Sequence, residues 1–240
     1  MMTRTMMPKS FKPGIALTVC TLLGLIVLIG LGTWQARKIG PKADLLARIE
    51  GGLAATPIQL PVHLDDPSAL DYHRVTFVGH VLDRAPIKVF ATSLTGKSGY
   101  HIYAPVQKQH GMAVAVNFGW IPFHQEKLPA LPSGDIAVTG VLRTSATPGS
   151  MTPPNVPEKG QWFTADVHEM AAHWGLRTKE YYHFRIFSDH IGAADSLPQG
   201  GQVRVDIPND HLQYAITWFG LAATLLGVYI AFGFKRGREE

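Results

Sequence analysis

The chain is nearly without cysteine: one residue, Cys20, in 240. A single thiol forms no intramolecular disulfide, and with no CxxC and no Cys/His cluster there is no set of zinc ligands. Catalytic signatures are missing as well. There is no GxSxG, no GxGxxG after a strand, no P-loop, no HExxH or HxH and no paired carboxylate arrangement. The eleven histidines do not repair this, because they are scattered. His168 and His173 stand five apart on an expected helix, which turns their side chains to different faces. The expectation is a protein that is not an enzyme. Charge is also absent, from two long stretches, and that absence organises the chain.

Between Lys12 and Arg37 no residue is charged, and Gly14–Trp34 supplies 21 mainly apolar residues. At ~1.5 Å per residue this crosses the ~30 Å hydrocarbon core of a bilayer. A cleaved signal peptide would have a hydrophobic region of only ~7–15 residues ending in a small-x-small site. This run is longer and ends in Thr33-Trp34-Gln35, so it reads as a retained helix. The second uncharged stretch, Leu212–Phe234, stops at Lys235-Arg236. On it Gly220, Thr224, Gly227 and Ala231 recur at spacings of three and four. Such a small-residue face lets a second helix approach, with Gly24 or Gly30 of the first span as expected partners, although ordinary membrane-helix composition explains it too.

The net charge of +4 and pI near 9.2 invite a nucleic-acid reading, but the cations sit elsewhere. Arg4, Lys9 and Lys12 precede the first span, and Lys235, Arg236 and Arg238 follow the second. That is the distribution of cytoplasmic anchors, and it argues for a lipid bilayer and against nucleic acid as a partner. Asp206 and Asp210 precede the second span, whereas Arg37, Lys38 and Lys42 lie beyond the first. The balance puts both termini in the cytoplasm and the intervening domain outside, in the periplasm of a bacterium. The expected division is a tail at 1–13, a span at 14–34, a periplasmic domain at 35–210, a span at 211–234 and a tail at 235–240.

The domain reads as mainly β. Pro41 and the KADLLARIEGGL that follows predict a short separate helix, with proline in its first turn. Period-two alternation then predicts strands at Tyr72–Leu82, Ile87–Ala91, Tyr100–Gln107, Ala113–Phe118, Ile136–Leu142, Tyr181–Phe187 and Gln202–Ile207. Asp166–Trp174 reads as a helix capped by Asp166, and the Pro-rich Thr147–Gly160 as a surface loop. The fold class is therefore a membrane protein with two transmembrane α-helices flanking a mainly antiparallel, α+β, barrel-like domain.

One histidine stands apart. His211 immediately precedes the second span, where an ionisable group is costly to desolvate and is usually kept for a partner or a ligand. Tyr214 or Ala215, and Trp218, share its helix face. A neutral imidazole there suits the axial position of a haem, and equally a polar helix start beside an aromatic belt. Because the domain joins the outer ends of both helices, Trp34 and Gln35 belong at the depth of His211. A belt tryptophan explains Trp34; a shared pocket of Trp34, Gln35 and His211 is the sharper alternative.

The same residues carry a resemblance. Gly32-Thr33-Trp34-Gln35, Arg74-Val75 with Gly79, Gly99-Tyr100-His101 leading to Pro105-Val106, Asn117-Phe118-Gly119-Trp120, Gly140-Val141-Leu142-Arg143 and Asn209-Asp210-His211-Leu212-Gln213-Tyr214-Ala215-Ile216-Thr217-Trp218-Phe219 occur in this order. The series resembles the surfeit locus protein 1 family of cytochrome c oxidase assembly factors over nearly the whole chain. The resemblance implies help in placing haem a in oxidase subunit I. It implies subunit I and haem a synthase as partners, haem a as a transiently bound cofactor, and a chaperone role in building the respiratory chain. His211 corresponds to the proposed haem ligand, with Trp34, Gln35 and Trp218 around it. One position departs from the family pattern: Phe118 stands where the family usually reads arginine, which removes a paired donor for a carboxylate.

Overall fold

The structure is a computed structural model that describes residues 11–109, 111–125, 127–189, 191, 196–205 and 210–239. The chain divides into two compact units, Met1–Ala47 with Ile207–Glu240, and Arg48–Asp206.

The first unit is built on α1 (Ile15–Ala54), which continues past the unit boundary, and on α3 (His211–Glu239). Both contain segments long and apolar enough to cross a membrane. They lie antiparallel, as their contacts show. Thr18 Oγ1 is 2.9 Å from Tyr229 Oη, Gly24 faces Leu225, Gly32 faces Phe219, and Gln35 meets His211. Buried or half-buried positions on α3 recur at 211, 215, 218, 222, 225, 229 and 233, a three-four spacing that makes one continuous seam. Ahead of α1, Phe11 sets its ring edge-on to Tyr229 and Phe234, and the Lys12 N–H donates to the Gly233 carbonyl.

Two expectations for these helices need correcting. Pro41 does not begin a separate helix; α1 runs through it to Ala54. Proline removes one backbone hydrogen bond, but the good helix formers on either side, Ala36-Arg37-Lys38 and Ala43 to Arg48, carry the helix across. The contact face of α3 is also not the small-residue stripe. An added Cβ on Gly30, Gly220 or Gly227 would meet nothing within 4 Å, and Thr224 and Ala231 are exposed. The seam uses Ala215, Ala222 and larger side chains, and on α1 Gly24 and Gly32 give way to Leu225 and Phe219 respectively.

The second unit carries a seven-stranded sheet: β1 (Ile58–Gln59), β2 (Arg74–Val81), β3 (Ile87–Thr92), β4 (Ser98–Lys108), β5 (Ala113–Pro122), β6 (Gly134–Thr144) and β7 (Tyr181–Ser188). Their order is β1-β2-β6-β7-β5-β4-β3, and a further β2–β4 pairing turns the five central strands into a ring. The pairings are antiparallel except β1–β2 and β5–β7. One core cluster draws Val75 and Phe77, Ala104 and Val106, Val114, Val116 and Phe118, Val138 and Leu142, and Tyr182, Phe184 and Ile186 from all five strands of the ring. Their alternation along each strand points this set to the inside. The opposite face of β4, β5 and β7 packs on α2 (Val167–His173), through Tyr103, Ala113, Ala115 and Tyr181 against Val167, Met170, Ala171 and Trp174. β5 is therefore buried on both faces, which is why Ala113–Ile121 reads as a continuous run rather than an alternating one. The Asp166 carboxylate caps α2 by accepting from His168 and Glu169 N–H.

The expected strand at Gln202–Ile207 is not formed over residues 202–205, and 206–207 lie outside the described residues. Val203 and Val205 alternate correctly but pair with no strand among the described residues; the isolated bridge Trp120–Gln199 lies just before them.

The ring closes at Gly79, opposite Lys108 in the β2–β4 pairing. An added Cβ there would lie 2.6 Å from the Gln107 carbonyl oxygen and 2.9 Å from Val106 Cγ1. Backbone cannot move aside as a flexible side chain would. Gly79→Ala should therefore cost about 1–3 kcal/mol, as overpacking of a tight interior does. In thermal unfolding of the purified protein this is a drop of roughly 3–10 °C.

Candidate functional site at the ends of the helix pair

His211 and Gln35 are brought together by the antiparallel seam, and the contact is direct. His211 Nδ1 lies 2.8 Å from Gln35 Oε1. A carbonyl oxygen only accepts, so Nδ1 carries the proton and donates. In the neutral imidazole the lone pair then belongs to Nε2. This is the arrangement that prepares a histidine to bind a metal: an oxygen fixes the tautomer and ring orientation and raises the basicity of the free nitrogen. Gly32, one turn before Gln35, allows the approach, since an added Cβ would lie 2.8 Å from the Phe219 ring.

The other two expected site residues differ. Trp218 is half-buried on the α3 seam, two turns beyond His211. Trp34 lies off the seam and is 53% exposed, with Lys38 Nζ 5.5 Å from its ring centre. That is a cation over an aromatic face, the position of an interfacial anchor. The structure thus joins Gln35 to His211 and leaves the Trp34 ring half-exposed, off that seam. Asn209 lies outside the described residues.

The remaining motif residues do structural work in the sheet unit. Asn117 Oδ1 accepts from Gly119 N–H at 2.9 Å, and Phe118 is buried in the ring core. Gly119, at φ +132°, leaves room for the Gln199 carbonyl, which an added Cβ would meet at 2.3 Å. Trp120 is buried and donates from Nε1 to the Ala91 carbonyl. Phe118 thus trades the expected arginine's charge for core volume.

Among the described residues no three His, Cys, Asp or Glu side chains come together as a metal site. His168 bonds Tyr181 Oη and stacks edge-on to His183. A polar cluster that the sequence spacing did not mark lies on β4 and β7: His101, Tyr103 and Arg185. Burial, and then the nearby Arg185 charge, push the His101 imidazole down to about 4. Its Nε2 is buried with no hydrogen-bond partner. Only strand register places these residues side by side, so no motif search would have found them.

Two membrane-length helices, in contact through His211 and Gln35, and a ring-shaped sheet unit in the chain between them define the class: a membrane protein with an extramembrane domain. Residues 22–223 match the SURF1 family, and the chain belongs to that family, whose members are known as oxidase assembly factors. It is 28% identical over 222 residues to Surfeit locus protein 1 of Takifugu rubripes, covering 84% of this chain and 90% of that protein. It is 29% identical over 212 residues to a SURF1-like protein of Rickettsia bellii, covering 87% of each. The human Surfeit locus protein 1 is 27% identical over 222 residues, covering 84% of this chain and 72% of that protein.

The tautomer of His211 is directly measurable. In haem-free protein labelled with ¹⁵N-histidine, the His211 ring should be protonated at Nδ1 and bare at Nε2. Gln35→Leu should turn that single form into a mixture. The same Nδ1–H form persisting without Gln35 would mean that the hydrogen bond does not set it.

Proposed function

We propose that this chain is an assembly factor for haem-copper cytochrome c oxidase that assists insertion of haem a into subunit I, without catalytic turnover. The observation carrying this reading is the Gln35–His211 hydrogen bond, which leaves Nε2 as a lone-pair donor at the end of a helix pair. The residues present fit a haem. Its iron takes a neutral imidazole nitrogen, and Trp218 lies two turns further along the same face of α3. Bound haem would supply an iron in need of an axial donor. The chain's part is to hold His211 in one tautomer, to keep its ring oriented through Gln35, and to present it at the membrane surface.

The topology that suits this role has both termini in the cytoplasm and the sheet unit on the periplasmic side of the inner membrane. Lys235 and Arg236 at the end of α3 support that orientation. Subunit I, and haem a synthase as the source of the cofactor, are the partners this implies.

The other reading is a haem-free membrane chaperone that steadies nascent subunit I, and one experiment separates the two. In cells whose only copy is His211→Ala, haem a per subunit I should fall severalfold, towards the level of cells lacking the protein. Gln35→Leu should fall between. Wild-type haem a content with His211→Ala would remove the ligand role and favour the chaperone.

A further inference from the structure

The sheet unit contains a cleft of about 210 Å³ whose lining includes His101, Tyr103, Arg185, Thr147, Thr152 and Thr164. Its polar side chains are incompletely paired. The Arg185 guanidinium donates from Nε to the Thr144 carbonyl at 3.2 Å and from Nη1 to Tyr103 Oη at 3.3 Å, and stands 5.3 Å from the Phe187 ring. All three neighbours are uncharged. Among the described residues no carboxylate forms an ion pair with Arg185. A partly buried cation without a counter-charge is costly, and so is the unpartnered Nε2 of His101.

We infer that this cleft is a binding site for a small carboxylate, an acid of one to four carbons, held by Arg185 with Tyr103 and His101 as neighbouring donors. One bound anion answers both deficits. Arg185 gains the counter-charge it lacks, and a neutral His101 carrying its proton on Nε2 gains an acceptor. The volume, roughly that of seven waters, accommodates a few heavy atoms. The planar guanidinium can pair edge to edge with a planar carboxylate, and the titration below sets that against a tetrahedral anion. Three threonine side chains in the lining provide further hydroxyl donors. The cleft is lined wholly by residues of the sheet unit, and the inference does not depend on the haem reading.

The test uses the full-length, detergent-purified protein labelled with ¹⁵N-histidine, the His101 signal being assigned by its loss in His101→Gln. Sodium acetate, sodium succinate and sodium phosphate are titrated against sodium chloride at matched ionic strength. Acetate or succinate should shift the His101 ring resonances saturably and raise the pH at which that ring titrates, while chloride leaves both unchanged. Arg185→Gln should weaken the carboxylate at least tenfold. Should that variant unfold, the wild-type thermal midpoint decides: it should rise with carboxylate and not with chloride. His101 resonances unmoved by either carboxylate, an equal response to chloride, a response to phosphate alone, or unchanged affinity in folded Arg185→Gln would each overturn the assignment.

Discussion

A polar side chain on a membrane-spanning helix has no water to turn to, and an unsatisfied group there costs several kcal/mol. The helix pair obeys this constraint at each level. Thr33, Thr217 and Thr224 return their hydroxyl protons to carbonyls four residues back, and Thr18 does the same while also meeting Tyr229 across the seam. His211 and Gln35 answer it at the other end by pairing with each other. That pairing fixes which nitrogen of His211 is left over, so the rule that satisfies the membrane also prepares the site.

The sheet unit is governed by a different requirement, closure. Joining β2 to β4 turns an open sheet into a ring whose interior is filled by alternate residues of five strands. Closure demands close backbone approach, which Gly79 permits. It also leaves β4, β5 and β7 with an outer face, which α2 covers. Arg185 and His101 sit outside that packing, their polar atoms only partly answered by the protein itself.

Much of this was legible in the sequence, and the failures have physical causes. Uncharged runs of membrane length revealed both long apolar helices, because 21 to 23 residues at ~1.5 Å each match the ~30 Å hydrocarbon core. Six of the seven strand expectations correspond to β2 to β7, since period-two burial is a local signal. Gln202–Ile207 failed because alternation says nothing about whether a partner edge exists. Pro41 misled because proline's cost is a lost bond, which strong helix formers on both sides can offset. Gly220 and Gly227 misled because small residues on a helix mark permission to pack, not the packing itself. For the candidate site, His211 was visible from its position, and Gln35 only as a neighbour of Trp34. The tautomer came from atomic contact alone.

The proposed role of His211 is that of a haem ligand at the end of the helix pair. The absorbance spectrum of the detergent-purified protein, from cells with and without haem a synthesis, tests it most directly. The first preparation should show a Soret band that is lost or altered by His211→Ala, and the second a spectrum lacking the haem a signature. A haem-free preparation from haem a-replete cells, or a band indifferent to His211→Ala, would contradict it.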